Sequence, residues 1–128
     1  MNGEEIIKYC LEKRGAYLDF PFGEGYATVK IKTSPKRNGY VFAEIFELNG
    51  EEKFTFSTSA ADAEFLRESL DGAVVRGWHC PPVQAKYKST ATVSRIGDDL
   101  LKQFADVSYE RAYSKLTEEE RENLNRLN

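Results

Sequence analysis

The residues best equipped for chemistry stand in series: Trp78, His79 and Cys80. They are the only Trp, the only His and one of the two Cys in the 128-residue chain. A Cys–His couple acts as a nucleophile when imidazole and thiol lie within hydrogen-bond reach, usually from separate segments. Adjacent side chains in a strand point to opposite faces, so His79 and Cys80 make no such couple. The pairing left open is His79 with Cys10. Zinc asks for four N, S or O ligands, commonly as spaced pairs, which an isolated His-Cys does not supply. No Gly-rich phosphate loop, G-x-S-x-G elbow or H-E-x-x-H pair is present. The expectation is a chain without catalytic residues, metal or cofactor. His79 then satisfies a backbone carbonyl, and Trp78 is half-buried at a sheet margin.

The cations offer a different chemistry. The formal net charge is −3, which argues against a strongly basic nucleic-acid binder but says nothing of local patches. Between Glu24 and Glu44 there is no carboxylate, while Lys30, Lys32, Lys36 and Arg37 fall there. Between Asp71 and Asp98 there is again none, and Arg76, Lys86, Lys88 and Arg95 fall there. Over 85–94 the alternation puts Lys86, Lys88, Thr90, Thr92 and Ser94 on one strand face. Cations neutralise phosphates and hydroxyls add positioning hydrogen bonds, so this face suits nucleic acid. Trp78, Tyr87 or Tyr40 would stack on bases if exposed. A polar strand face with edge lysines is also what any sheet needs against aggregation.

These residues need a scaffold, and the pattern supplies one. A helix over 4–14 carries Ile6, Ile7, Cys10 and Leu11 as an apolar stripe ended by Gly15, which buries Cys10. "GAYLDFPFGEG" reads as a punctuated loop whose three aromatics tuck under the domain. "YATVKIK" alternates Ala27, Val29 and Ile31 against Tyr26, Thr28, Lys30 and Lys32. "YVFAEIFEL" is apolar on both faces, as a central strand is, and "KFTFST" alternates again. Asn38-Gly39 and Asn49-Gly50 turn these strands into an antiparallel meander. Ser59 and Asp62 form a capping box opening a helix to Leu70. A strand over 85–95 follows, then a helix from Asp98 to about Lys115, and a charged terminal helix capped by Thr117 and Glu120. The order α-β-β-β-α-β(β)-α predicts one α+β domain over 1–128, an antiparallel sheet with helices on one face. Hydrophobic content of 41% fits a soluble globule. "MNGEEIIKYC" carries no export pattern and no run is long enough to span a bilayer, so a cytoplasmic protein is expected.

Several of these stretches resemble the YjbR/MmcQ-like proteins. "YCLEKRGAYLDFPFG" is similar to that family's opening, "FSTSAADAEFLRESLDG" to its strand and Ser-capped helix, and "DDLLKQFADVSYERAYSKLTEEER" to its closing helix. Trp78-His79 falls where the family tends to carry an aromatic or small residue followed by His. The resemblance implies a frataxin-like or secretion-chaperone-like α+β domain and a DNA-binding label, with no catalytic residues to carry over. The iron chemistry of the frataxin fold needs clustered carboxylates, and the first helix offers only Glu4, Glu5 and Glu12. After the His, the chain departs from the family: Cys80-Pro81-Pro82-Val83-Gln84 replaces its usual continuation and its Trp.

The resulting expectation is a non-enzymatic binding domain for nucleic acid, using Lys30, Lys32, Lys36, Arg37, Arg76, Lys86, Lys88 and Arg95. The alternative is a protein-interaction or chaperone-like module, with a protein partner or as a homodimer, that binds no nucleic acid. A small enzyme would need a concave pocket joining His79 to Cys10 or to a carboxylate.

Overall fold

Alternation in the first long strand decides the layering. In the computed structural model, which describes residues 1–34 and 38–126, Ala27, Val29 and Ile31 are buried on one side of β2 (Tyr26–Ile31). In β3 (Tyr40–Leu48) Ile45 and Ala43 pair with Ala27 and Val29, and Ile45 pairs in turn with Phe54 of β4 (Glu51–Ser57). The row Ala27–Ile45–Phe54 continues through Ala91 of β6 (Lys88–Thr92) to Val74 of β5 (Val74–Arg76), so five strands contribute to one apolar face. β1 (Ala16–Asp19) completes an antiparallel sheet of order β1-β2-β3-β4-β6-β5.

Helices cover that apolar face. α1 (Gly3–Leu11) buries Ile6 and Cys10, and α3 (Asp98–Ser114) buries Leu101, Phe104, Ala105 and Ala112. Phe104 stacks on Phe56 with centroids 4.2 Å apart. α2 (Ala60–Ser69) lies beside α3, and α4 (Glu118–Asn125) sends Leu124 into the core. Full burial of such side chains stabilises by roughly 1.5–3 kcal/mol each.

Caps fix where the helices begin. Thr117 and Glu120 form the expected reciprocal box, and Asn2 with Glu5 forms a second. Ser59 accepts from the Asp62 N–H, so only this half of the other expected box is made. Asn49 and Gly50 both have positive φ (54° and 82°), the geometry of the tight turn whose twist matches a hairpin. No described helix is long and apolar enough to cross a membrane.

Three elements differ from the sequence reading. Residues 16–19 form edge strand β1 rather than a loop, held by register with β2, and Phe22 of the following loop is exposed instead of tucked under. Val74–Arg76 forms the second edge strand. The expected long strand over 85–95 is only Lys88–Thr92, flanked by short 3-10 turns at Pro82–Gln84 and Val93–Arg95. Two prolines lack N–H donors and cannot enter a ladder, so the chain from Gly77 to Tyr87 is free to leave the sheet.

Candidate binding site

That free segment folds back across the sheet face that carries no helix. Gly77 makes the approach possible: its N–H donates to the Lys88 carbonyl at 2.9 Å. A Cβ there would sit 2.9 Å from Lys88 Cβ, closer than side chains tolerate. Trp78 follows, its N–H donating to Thr90 Oγ1 at 2.9 Å. Its indole reaches past β6 and β4 to pack 5.0 Å from Phe46 and 6.4 Å from Tyr26. Arg67 of α2 ties down the return, donating to the carbonyls of Ala85 (2.5 Å) and Lys88 and to Ser89 Oγ. Burial holds the Arg67 guanidinium below its ordinary pKa.

His79 turns the segment sharply, at φ 53°. This left-handed conformation is uncommon for a side chain with a Cβ, and such residues cost of order 1–3 kcal/mol and gather at functional sites. The imidazole packs edge-on against Trp78, centroids 4.0 Å apart. It makes no hydrogen bond to a carbonyl among the described residues. Trp78 thus lies over the sheet rather than at its margin.

Opposite stands the loop 20–25, with Pro21 and Phe22. Phe22 meets Tyr26 edge-on at 5.3 Å, and Tyr26 stacks on Phe46 at 4.7 Å. The two loops enclose a hollow of about 640 Å³ lined by Phe22, Tyr26, Trp78 and His79 and by Thr28, Lys30, Val41, Glu44, Thr55, Cys80, Gln84 and Lys88. This lies within the range of small-molecule sites.

The floor is polar, and register explains why. Asp19, Thr28, Glu44, Thr55, Thr90 and Val75 are consecutive cross-strand partners over all six strands. Thr55 and Thr90 share a hydrogen bond at 2.7 Å. Glu44, only 14% exposed at its side chain, accepts from the Tyr26 hydroxyl and lies 3.6 Å from Lys88 Nζ. Burial, then this hydrogen bond and the Glu44 charge, raise the Tyr26 pKa. Lys30 Nζ donates to Asp19 at 2.8 Å. That bond, with one from the Phe20 N–H, holds the Asp19 carboxyl below its usual range. Thr28, 1% exposed, has a hydroxyl with no partner among the described residues.

Of the expected cations, the hollow gathers Lys30 and Lys88. Lys32 is exposed beyond the end of β2. Arg76 shares the face of Ser89, directed to the helix side at the β5 edge. Lys86 precedes β6 in a turn, its ammonium 5.2 Å over the Tyr87 ring. Arg95 lies in the turn after β6, its guanidinium against Gly72. Lys36 and Arg37 fall outside the described residues. The stretches without acids in sequence are not without acids in space: Asp19 and Glu44 arrive from neighbouring strands. Cys10 is fully buried under α1, on the other side of the sheet from His79, and burial pushes its thiol up to about 12. No described residues form a cluster of His, Cys, Asp or Glu able to hold a metal.

Sequence reasoning did not single out Thr28, Glu44, Phe46 or Phe22. A usable signal existed in Glu44. It stands mid-strand in a run apolar on both sides, whereas Glu47 is exposed near the strand's end, and buried acids are rare unless partnered.

Comparison with known proteins locates the fold. The chain is similar to the Deinococcus radiodurans protein DR2400, whose domain is DUF419, with TM-score 0.84 over 97% of this chain and 88% of that one, at 19% identity. It is also similar to a Pseudomonas syringae protein, with TM-score 0.69 over 88% and 99% of the two chains, at 15% identity. No family model and no curated protein matches the sequence. Likeness at this identity shows a shared small α+β fold and leaves activity to be argued from the site.

Proposed function

We propose that this chain is a non-enzymatic binding domain that holds single-stranded nucleic acid on the open face of its sheet. The observation that carries the reading is the aromatic group Phe22, Tyr26, Trp78 and His79, backed by the buried Phe46, beside Lys30 and Lys88. Single strands are held by stacking bases on such rings while a few cations meet phosphates, and stacking contributes about 1–3 kcal/mol per base. A duplex offers no unstacked base and depends on many phosphate contacts, which a chain of net charge −3 supplies poorly. The resemblance to YjbR/MmcQ-like proteins, with their DNA-binding label, supports the same reading. Arg76, on the helix side of the sheet, and Arg95, in the turn after β6, contribute least.

The test is fluorescence anisotropy with a labelled oligothymidine and a duplex of equal length, from low to rising salt. Single strand binds better, with a shallow log–log salt slope of about −2 for two to three phosphate contacts. Trp78→Ala weakens it roughly tenfold or more. No binding at low salt overturns the proposal, and full binding by Trp78→Ala removes the stacking surface from it.

One observation favours a second reading, a protein-interaction module. Between α2 and α3, Phe65 is 65% exposed beside Val107, Leu66 and Leu100, and exposed apolar clusters of this kind mark partner surfaces. If this groove joins two copies, sedimentation finds a dimer that Phe65→Glu dissociates; a monomer at all concentrations removes the homodimer.

A further inference from the structure

Resting on the single-strand reading, we infer that the hollow is a base-reading pocket that selects guanine, through Glu44, Lys88 and Thr28. A stacking surface needs only rings and cations. This floor carries more, since a carboxylate lies at its centre in a site otherwise suited to anions. Glu44 is an acceptor with lone pairs to spare: it takes one hydrogen bond from Tyr26 and has Lys88 Nζ 3.6 Å away. Lys88 is a donor on one side of it. On the other side its cross-strand neighbour Thr28 encloses a hydroxyl without a partner among the described residues. The floor therefore presents donor, acceptor, donor in order across β6, β3 and β2.

The edges of the four bases differ in how they meet that series. Guanine presents O6 as acceptor, N1–H and the 2-amino group as adjacent donors, and N3 as acceptor. O6 suits the Lys88 ammonium, the two donors suit the Glu44 carboxylate, and N3 suits the Thr28 hydroxyl. Adenine and cytosine offer a single amino group to Glu44. Thymine sets a carbonyl on each side of its one N–H, and one of them meets the carboxylate. Trp78 and Phe22 stand on opposing loops, on either side of a base so placed.

The ligand is a guanine base, whether free as a nucleotide or held within a strand, and the experiment separates the two. Trp78 emission, the only tryptophan signal in the chain, is followed during titration with GMP, IMP, AMP, CMP and UMP. Parallel titrations use oligothymidine strands carrying one central G, A or C. Guanine is expected to bind tighter than the other bases by roughly tenfold or more. IMP, which lacks the 2-amino group, falls between GMP and AMP. Glu44→Gln, which keeps the shape and an oxygen for the Tyr26 hydroxyl, levels the preference while far-UV circular dichroism stays unchanged. Preference for G within the strand but no response to GMP supports the pocket and assigns its ligand to strands. Equal binding of all bases, reduced by Trp78→Ala, overturns guanine selection and leaves the single-strand reading standing. Silence from every probe overturns both.

Discussion

Thr28 and Thr55 occupy the same cross-strand row, on either side of Glu44, yet removing their hydroxyls should move stability in opposite directions. Thr28 Oγ1 is buried and unpartnered among the described residues, and a polar group enclosed without a hydrogen bond costs about 1–3 kcal/mol. Thr28→Val keeps the β-branched shape and strand preference and removes that cost. The expected gain is about 1 kcal/mol. With a urea dependence of about 2 kcal/mol per molar, the unfolding midpoint rises by about 0.5 M. Thr55 Oγ1 is bonded to Thr90 Oγ1 at 2.7 Å, and Thr90 also accepts the Trp78 N–H. Thr55→Val breaks that chain, so its midpoint falls by a similar amount. Equilibrium urea unfolding followed by Trp78 fluorescence and far-UV circular dichroism reads both. The gain in Thr28→Val should come with weaker ligand binding, as at sites where function is kept at the expense of stability. A fall in the Thr28→Val midpoint would refute the reasoning, because it would mean that the hydroxyl is satisfied in the free protein.

Other consequences follow from the same structure. Ser108 Oγ donates to the Phe42 carbonyl at 2.5 Å and accepts the Ser57 N–H at 2.9 Å, bridging β3 and β4. Ser108→Ala should cost about 2 kcal/mol and lower the urea midpoint by about 1 M; an unchanged midpoint would show that the strands close without it. Of the two thiols, Cys80 lines the hollow and Cys10 is fully buried. A thiol reagent should label Cys80 in the native protein, more slowly with ligand bound, and Cys10 only on unfolding. Mass mapping of the labelled residue checks this. For Asp106, burial pushes the carboxyl up, but hydrogen bonds from Lys13 and Tyr9 outweigh it and hold it below the usual range. Its contribution to stability is therefore present above a pH of about 4 and is lost as pH falls through the lowered value. Asp106→Asn should flatten part of the acid limb of the urea-midpoint profile, and a profile as steep as wild type would contradict it.

What the sequence made legible was local. The Cys10 stripe, the Thr117 and Glu120 box and the Asn49-Gly50 hairpin each depend on residues within a turn or two, where periodicity and capping rules apply. The meander and the helices on one face followed from joining such pieces. The hollow did not, because it is made by pairing over long separations. Trp78 meets Phe46 and Tyr26 only because the Pro81-Pro82 segment leaves the sheet and recrosses it. Asp19 becomes part of the Thr28 row only through the register of β1, a strand too short to announce itself. The same cause misleads charge counting along the chain. Lys30 and Lys88 stand in stretches free of acids, yet each faces a carboxylate supplied by another strand.

The central claim is that the ligand lies on the open sheet face, and backbone amide shift mapping tests it most directly. The protein, labelled with nitrogen-15, is titrated at low salt with a short oligothymidine carrying one G. The account predicts shifts at Tyr26, Thr28, Glu44, Thr55, Trp78, His79 and Lys88, with the α2–α3 groove around Phe65 unmoved. Shifts confined to Phe65, Leu66 and Val107, or none anywhere, would contradict it.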